Sequence, residues 1–162
     1  MLHQLGVGLT DIFETHVYTT DLPRAMAFYG ERLGLPLAYI THERQIAFYW
    51  IGAPGHAMLG VWGVPAERWQ RSHFAFTIRE EQIDTALAGL RAAGVQPVDF
   101  FGEPTTDPTV HSWMPACGIF FRDPDGNSLE LLAMLSDPPR PDLGPLPLSV
   151  WRREHAALAN TR

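Results

Sequence analysis

Cys117 is the only cysteine in a chain of 162 residues. A disulfide framework is therefore impossible within the chain, and a reducing cytoplasm is the simplest setting. Positive charge is scarce too: 12 basic residues stand against 18 acidic ones, for a formal net charge of −6. No long Lys/Arg cluster reverses that balance locally, which disfavours nucleic acid and anionic membrane surfaces as partners. No apolar run approaches the ~20 residues that span a bilayer. The first residues lack a basic segment followed by an apolar stretch, so a secretion signal is not expected. What remains is a globular balance, 46% hydrophobic and 19% charged, enough for a real core in one compact domain or two small fused halves.

The chain reads as one unit written twice. Residues 12 to 18 alternate as a strand, with Glu14 and His16 on one face and Thr15 and Val17 on the other. Asp21 can cap a helix with Pro23 in its first turn; Leu22, Met26, Tyr29 and Leu33 form its stripe and Gly34 ends it. Strands are predicted near 36 to 42, 45 to 52 and 56 to 63. The order then repeats. A strand over 73 to 78 puts His73, Ala75 and Thr77 on one face. Ile83, Leu87, Leu90 and Ala93 make a helical stripe ended by Gly94. Strands near 96 to 102, 117 to 122 and 127 to 134 follow, with the tight turn Asp123-Pro124-Asp125-Gly126 before the last. The expected fold is α+β: two βαβββ modules, 11–70 and 71–136, whose mixed, largely antiparallel sheets form a cleft. A Pro-rich linker and a helical arm, 137–162, complete the chain.

His16 and His73 take matching places in the two copies, and Glu130 closes the second between Leu129 and Leu131. Either histidine alone reads as an ordinary polar residue on a strand. The matched pair, with a carboxylate expensive to bury unpaired, reads as a two-His-one-carboxylate site for one divalent ion. Such a set leaves coordination positions open for a substrate.

With the Asp123-Pro124-Asp125-Gly126 turn leading to Glu130, Asp21-Leu22, Ala27-Phe28-Tyr29 and the helix exit Leu33-Gly34-Leu35, residues 11 to 135 resemble the vicinal oxygen chelate superfamily. That group includes glyoxalase I, fosfomycin-resistance thiol transferases, extradiol dioxygenases and bleomycin-binding proteins. The resemblance implies that His16, His73 and Glu130 are metal ligands, and that Glu130 doubles as a base. It also implies a homodimer. Aligning Pro54-Gly55 with Asp125-Gly126 sets Leu59 opposite Glu130, where glyoxalase I carries a fourth ligand. Leucine cannot bind a metal, and His56, three residues away, falls on the other strand face.

The expected activity is a glyoxalase-like lyase or isomerase acting on a small oxygenated substrate held at one Fe, Mn, Ni, Co or Zn ion. The alternatives are a ring-cleaving dioxygenase, a fosfomycin-type thiol transferase, and a binding protein of the bleomycin-resistance type. The segment from Phe100 to Phe121 holds no Lys or Arg, which counts against phosphonate chemistry. His111, in the expected loop Gly102 to Pro115, suits a general acid or base, its plain alternative being a solvent-facing histidine. Tyr18, Leu59 and Trp113 are the candidate substrate-pocket residues. Arg122 and Asp123 read as framing the turn, and Cys117 as a buried small residue. Ser149 is the expected cap of the arm's helix, carrying Val150, Trp151, Ala157 and Leu158, which docks on the body or on a second subunit.

Overall fold

The computed structural model describes residues 8–159, less the side chains of Leu158 and Ala159, so the expected place of Leu158 in the helical stripe lies outside the described residues. The architecture is α+β, as the alternation of strand and helix patterns requires. Two compact units, one up to Gln70 and one from Arg71, each hold one sheet.

In the first unit β1 (Glu14–Thr19) leads through a helix to β2 (Leu37–Thr41), β3 (Ile46–Ile51) and β4 (Ala57–Gly63), in the sheet order β1-β4-β3-β2. Asp21 caps the helix α1 (Leu22–Met26), accepting the Arg24 N–H at 3.0 Å. The helix then widens into a π-helical stretch, Ala27–Arg32, closed by Leu33 N–H to the Phe28 carbonyl at 3.0 Å. Gly34 ends it at φ 72°. Leu22, Ala25, Phe28 and Tyr29 are buried, as are Val17, Ala47, Tyr49, Leu59 and Val61 of the sheet. Those sheet residues share one face by strand parity.

The second unit runs β5 (His73–Thr77), α2 (Ile83–Ala92), β6 (Thr109–His111), β7 (Ala116–Arg122), β8 (Ser128–Met134), β9 (Pro145–Pro147) and α3 (Leu148–Ala159), in the sheet order β5-β8-β7-β6-β9. Three features depart from the sequence reading. Residues 96 to 102 are not a strand. Val98 makes isolated bridges to Phe120 and Pro104 only. Pro97 has no N–H to give a ladder, and Asp99 accepts the N–H groups of Phe101 and Glu103, both at 2.9 Å, winding the chain into a turn. The strand is β6 instead, inside the expected loop. The Pro-rich linker supplies the fifth strand: β9 pairs with β6, and its two prolines stand on an edge, where a missing donor is tolerated.

The arm docks on its own unit. Trp151 is fully buried, and its Nε1–H donates to Asp137 at 2.8 Å. Ser149 lies within the helix rather than capping it. The cap comes from Asp107, which accepts from the Ser149 N–H at 3.0 Å and its hydroxyl at 2.6 Å.

Candidate metal centre

The turn Asp123-Pro124-Asp125-Gly126-Asn127 sets the geometry of the second unit's candidate ligands. Gly126 sits at φ 91°, where an L side chain is strained. Asp123 is buried and accepts the N–H groups of Asp125 (3.0 Å) and Asn127 (2.8 Å), and the Asn127 amide (2.8 Å). The other end of the Asn127 amide accepts the Ser72 N–H at 2.8 Å. The motif thus ties the start of β8 to the start of β5, fixing the register in which His73 faces Ser128 and Ala75 faces Glu130.

Glu130 is the unusual member. Its side chain is 6% exposed, and Oε1 has no hydrogen-bond partner. It leans over Gly118, whose hydrogen is all that fits: a Cβ there would stand 2.1 Å from Oε1. Two imidazoles face the carboxylate from opposite sides. His73 Nε2 lies 3.8 Å from Oε2 and His111 Nε2 3.6 Å from Oε1, both beyond hydrogen-bond reach. The Nδ1 of His73 is 3.1 Å from the Ser128 carbonyl. A carbonyl only accepts, so Nδ1 carries a proton, and Nε2 is the nitrogen turned toward Glu130. A histidine oriented in this way, by a backbone acceptor on one ring nitrogen, keeps the other nitrogen available to a ligand.

Rings wall this site. His73 stacks with Phe120 at 6.4 Å between centroids, and His111 meets Phe120 at 6.0 Å and Phe100 at 5.7 Å. Phe100, from the turn that replaced the expected strand, is a site residue the sequence did not reveal. Trp113 is 67% exposed in the turn before β7 and makes none of these ring contacts.

In the first unit His16 projects from the face opposite the core and hydrogen-bonds Glu14 through Nε2. Glu14 shares that face, two residues back, and is a second residue the sequence reading passed over as a site member. The His16 ring lies over Gly60, where a Cβ would be 2.7 Å from Cδ2, and tilts against Trp62 at 5.4 Å. Tyr18 follows on the same face. Leu59 does not: it is fully buried beside Val17 and Val61, because it pairs with Thr15 on the core side. The position that corresponds to Glu130 is therefore not Leu59. His16 pairs with Gly60 and His73 with Ser128, so the residue two further on is Trp62 in one copy and Glu130 in the other. The offset came from counting from the turns, which differ in length. His56 is exposed in the turn before β4, against Gly52.

Among the described residues no three His, Cys, Asp or Glu side chains converge as a ready metal-ligand group. Burial pushes the Cys117 thiol up to about 12, so it serves neither as a ligand nor as a nucleophile near neutrality.

The model of the Glyoxalase/Bleomycin resistance protein/Dioxygenase superfamily matches residues 11–131. The chain belongs to this superfamily. Solved structures agree. An integron cassette protein from the mobile metagenome of a Halifax Harbour sewage outfall is 27% identical, with 77% of this chain and 99% of that one covered and a TM-score of 0.68. A glyoxalase/bleomycin resistance protein/dioxygenase from Nocardioides is 26% identical, covers 82% of this chain and 89% of its own, and has a TM-score of 0.60. A lactoylglutathione lyase from Agrobacterium tumefaciens, at 22% identity, 77% and 94% coverage and a TM-score of 0.60, shares the fold. A comparison with curated proteins gave no match. The matched span takes in the turn before Glu130 and Glu130 itself.

Proposed function

We propose that the protein is a divalent-metal-dependent enzyme of the glyoxalase-like lyase or isomerase type, acting on a small oxygenated substrate. His73 and Glu130 are the proposed ligands of the second unit, and His16, the corresponding side chain of the first, is the third. One observation carries the reading: a buried carboxylate with an orphaned oxygen faces an imidazole Nε2 whose ring a backbone carbonyl orients. An orphaned buried carboxylate is costly, and a cation is the partner that removes the cost. The superfamily includes metalloenzymes, which supports the same reading. The donor set, two imidazoles and one carboxylate, suits Fe, Mn, Co, Ni and Zn alike.

Lewis-acid polarisation of neighbouring substrate oxygens is the chemistry such an ion supplies. The protein's own groups do the rest. His111, at 14% exposure and 3.6 Å from Glu130, is placed to hold or move a proton at Nε2. Phe120 backs the same face, and Phe100, half exposed, stands edge-on beside it. Tyr18, on the His16 face, is a hydrogen-bond donor toward substrate. The aromatic wall favours one second reading, ring cleavage of an aromatic diol at the same ligands. The proposal also takes the protein as a cytoplasmic homodimer. A lone buried thiol accords with a reducing compartment.

Elemental analysis after purification in chelator-free buffer tests the centre. About one metal ion per chain is expected, lost in His73→Ala and Glu130→Ala with the circular dichroism unchanged. A metal-free protein indifferent to added Fe, Mn, Co, Ni or Zn would favour a binding protein instead.

A further inference from the structure

Arg122 ends β7 and Arg71 precedes β5, 51 positions apart in sequence. The sheet closes that distance. His73 pairs with Ser128 and Ser128 with Arg122, so the three lie in one row across three strands, on the Glu130 face. Arg71 stands two residues before His73, just ahead of the strand. Both arginines line a cleft of about 330 Å³ with His73, Phe100, Phe101 and Phe120. That volume is at the small end of ligand sites.

The electrostatics point one way. Among the described residues neither guanidinium has an ion pair or a hydrogen bond, whereas Arg79, Arg140 and Arg152 are each paired with a carboxylate. Arg122 reaches over the backbone of Gly102, where a Cβ would stand 3.2 Å from Nη2. Asp99, the acid in the lining, accepts the N–H groups of Phe101 and Glu103 through Oδ1 and makes no ion pair with either arginine. All 12 basic residues of the chain are arginine, and its net charge is −6. Two unneutralised guanidinium forks in one aromatic-walled cleft therefore run against the sign of the whole molecule. Guanidinium matches a carboxylate in two-point geometry, and a phenyl wall matches a flat apolar body.

We infer that Arg71 and Arg122 form an anion subsite beside His73, taking the carboxylate of a flat, ring-bearing acid whose body lies on Phe100, Phe101 and Phe120. As a substrate subsite this rests on the proposed metal centre; as a binding site it stands alone. The cation-free segment that counts against phosphonate chemistry, Phe100 to Phe121, ends one residue short of Arg122.

Isothermal titration of the full-length protein, stripped of metal on a chelating resin and then assayed in chelator-free buffer, tests it, since metal coordination is then absent. The probes are benzoate, benzyl alcohol, which keeps the ring and lacks the charge, and acetate, which keeps the charge and lacks the ring. Benzoate should bind about tenfold or more tighter than either. Arg71→Gln and Arg122→Gln, both at exposed positions, should each weaken benzoate about tenfold and leave benzyl alcohol unchanged. Equal binding of benzoate and benzyl alcohol, equal binding of benzoate and acetate, or no benzoate binding at millimolar concentration overturns the inference. So does undiminished benzoate binding in both variants. A protein that shows the benzoate pattern yet takes up no metal keeps the subsite and loses the proposed centre. The reverse result keeps the centre alone.

Discussion

Gly60 and Gly118 do parallel work. Each sits in a strand beneath a candidate ligand, where a Cβ would meet His16 at 2.7 Å or Glu130 at 2.1 Å. A strand glycine weakens the strand unless something must come close to it. Gly118→Ala should therefore push Glu130 out of its place. The expected outcome is a loss of metal affinity of about tenfold or more, with the strand retained. Metal titration beside circular dichroism checks it, and unchanged affinity would mean that Glu130 does not bind from this position. Trp62 gives the complementary test, because it stands in the first copy where Glu130 stands in the second. Trp62→Glu should add an anionic group on the His16 face and tighten metal binding. Leu59→Glu should bury an unpaired carboxylate among Val17, Val61 and Tyr49, and destabilise the fold by several kcal/mol whether or not metal is added. Metal-dependent rescue of Leu59→Glu in thermal melting, with none for Trp62→Glu, would reverse this register.

Elements differ in how plainly the sequence shows them. Asn127→Ala removes both its hold on Ser72 and its bond to Asp123, each at 2.8 Å, and should cost about 1–3 kcal/mol while loosening His73 against Ser128. Urea unfolding gives the first quantity and metal affinity the second. That turn was legible because its chemistry is local: Asp, Pro, Gly and Asn act within a few residues. The helices and the strands β1 to β5, β7 and β8 were legible for the same reason, through alternation, caps and glycine exits. The strand expected over 96 to 102 failed because Asp99 competes for backbone donors, which no periodicity reveals. The strand β9 was hidden by prolines that only an edge position admits, and β6, three residues long, carries too little pattern. The candidate ligands His16, His73 and Glu130 were legible as residues. Phe100, Gly118 and the Arg71/Arg122 pair were not, since cross-strand register alone brings them to one face.

At the scale of the whole molecule, the arm and the sheet edges make separate predictions. Trp151 is buried within its own unit, so Trp151→Ala should cost about 3–5 kcal/mol. Truncation after Ser136 should lower the melting temperature further, because it also strips β9 from the edge of β6. Neither change touches β1 or β5, which stand at the other edges of their sheets. An open strand edge invites another strand, and Ile12 and Phe13 just before β1 are 82% and 51% exposed. A second copy of the chain is the partner that covers such an edge symmetrically. Sedimentation at micromolar concentration should therefore give a dimer. Trp151→Ala should keep that dimer while melting earlier, since its buried ring supports the unit and not the contact. A single-chain mass for the full-length protein would remove the dimer. A full-length dimer that falls to single chains in Trp151→Ala, at a temperature where the variant is still folded, would instead move the contact to the arm.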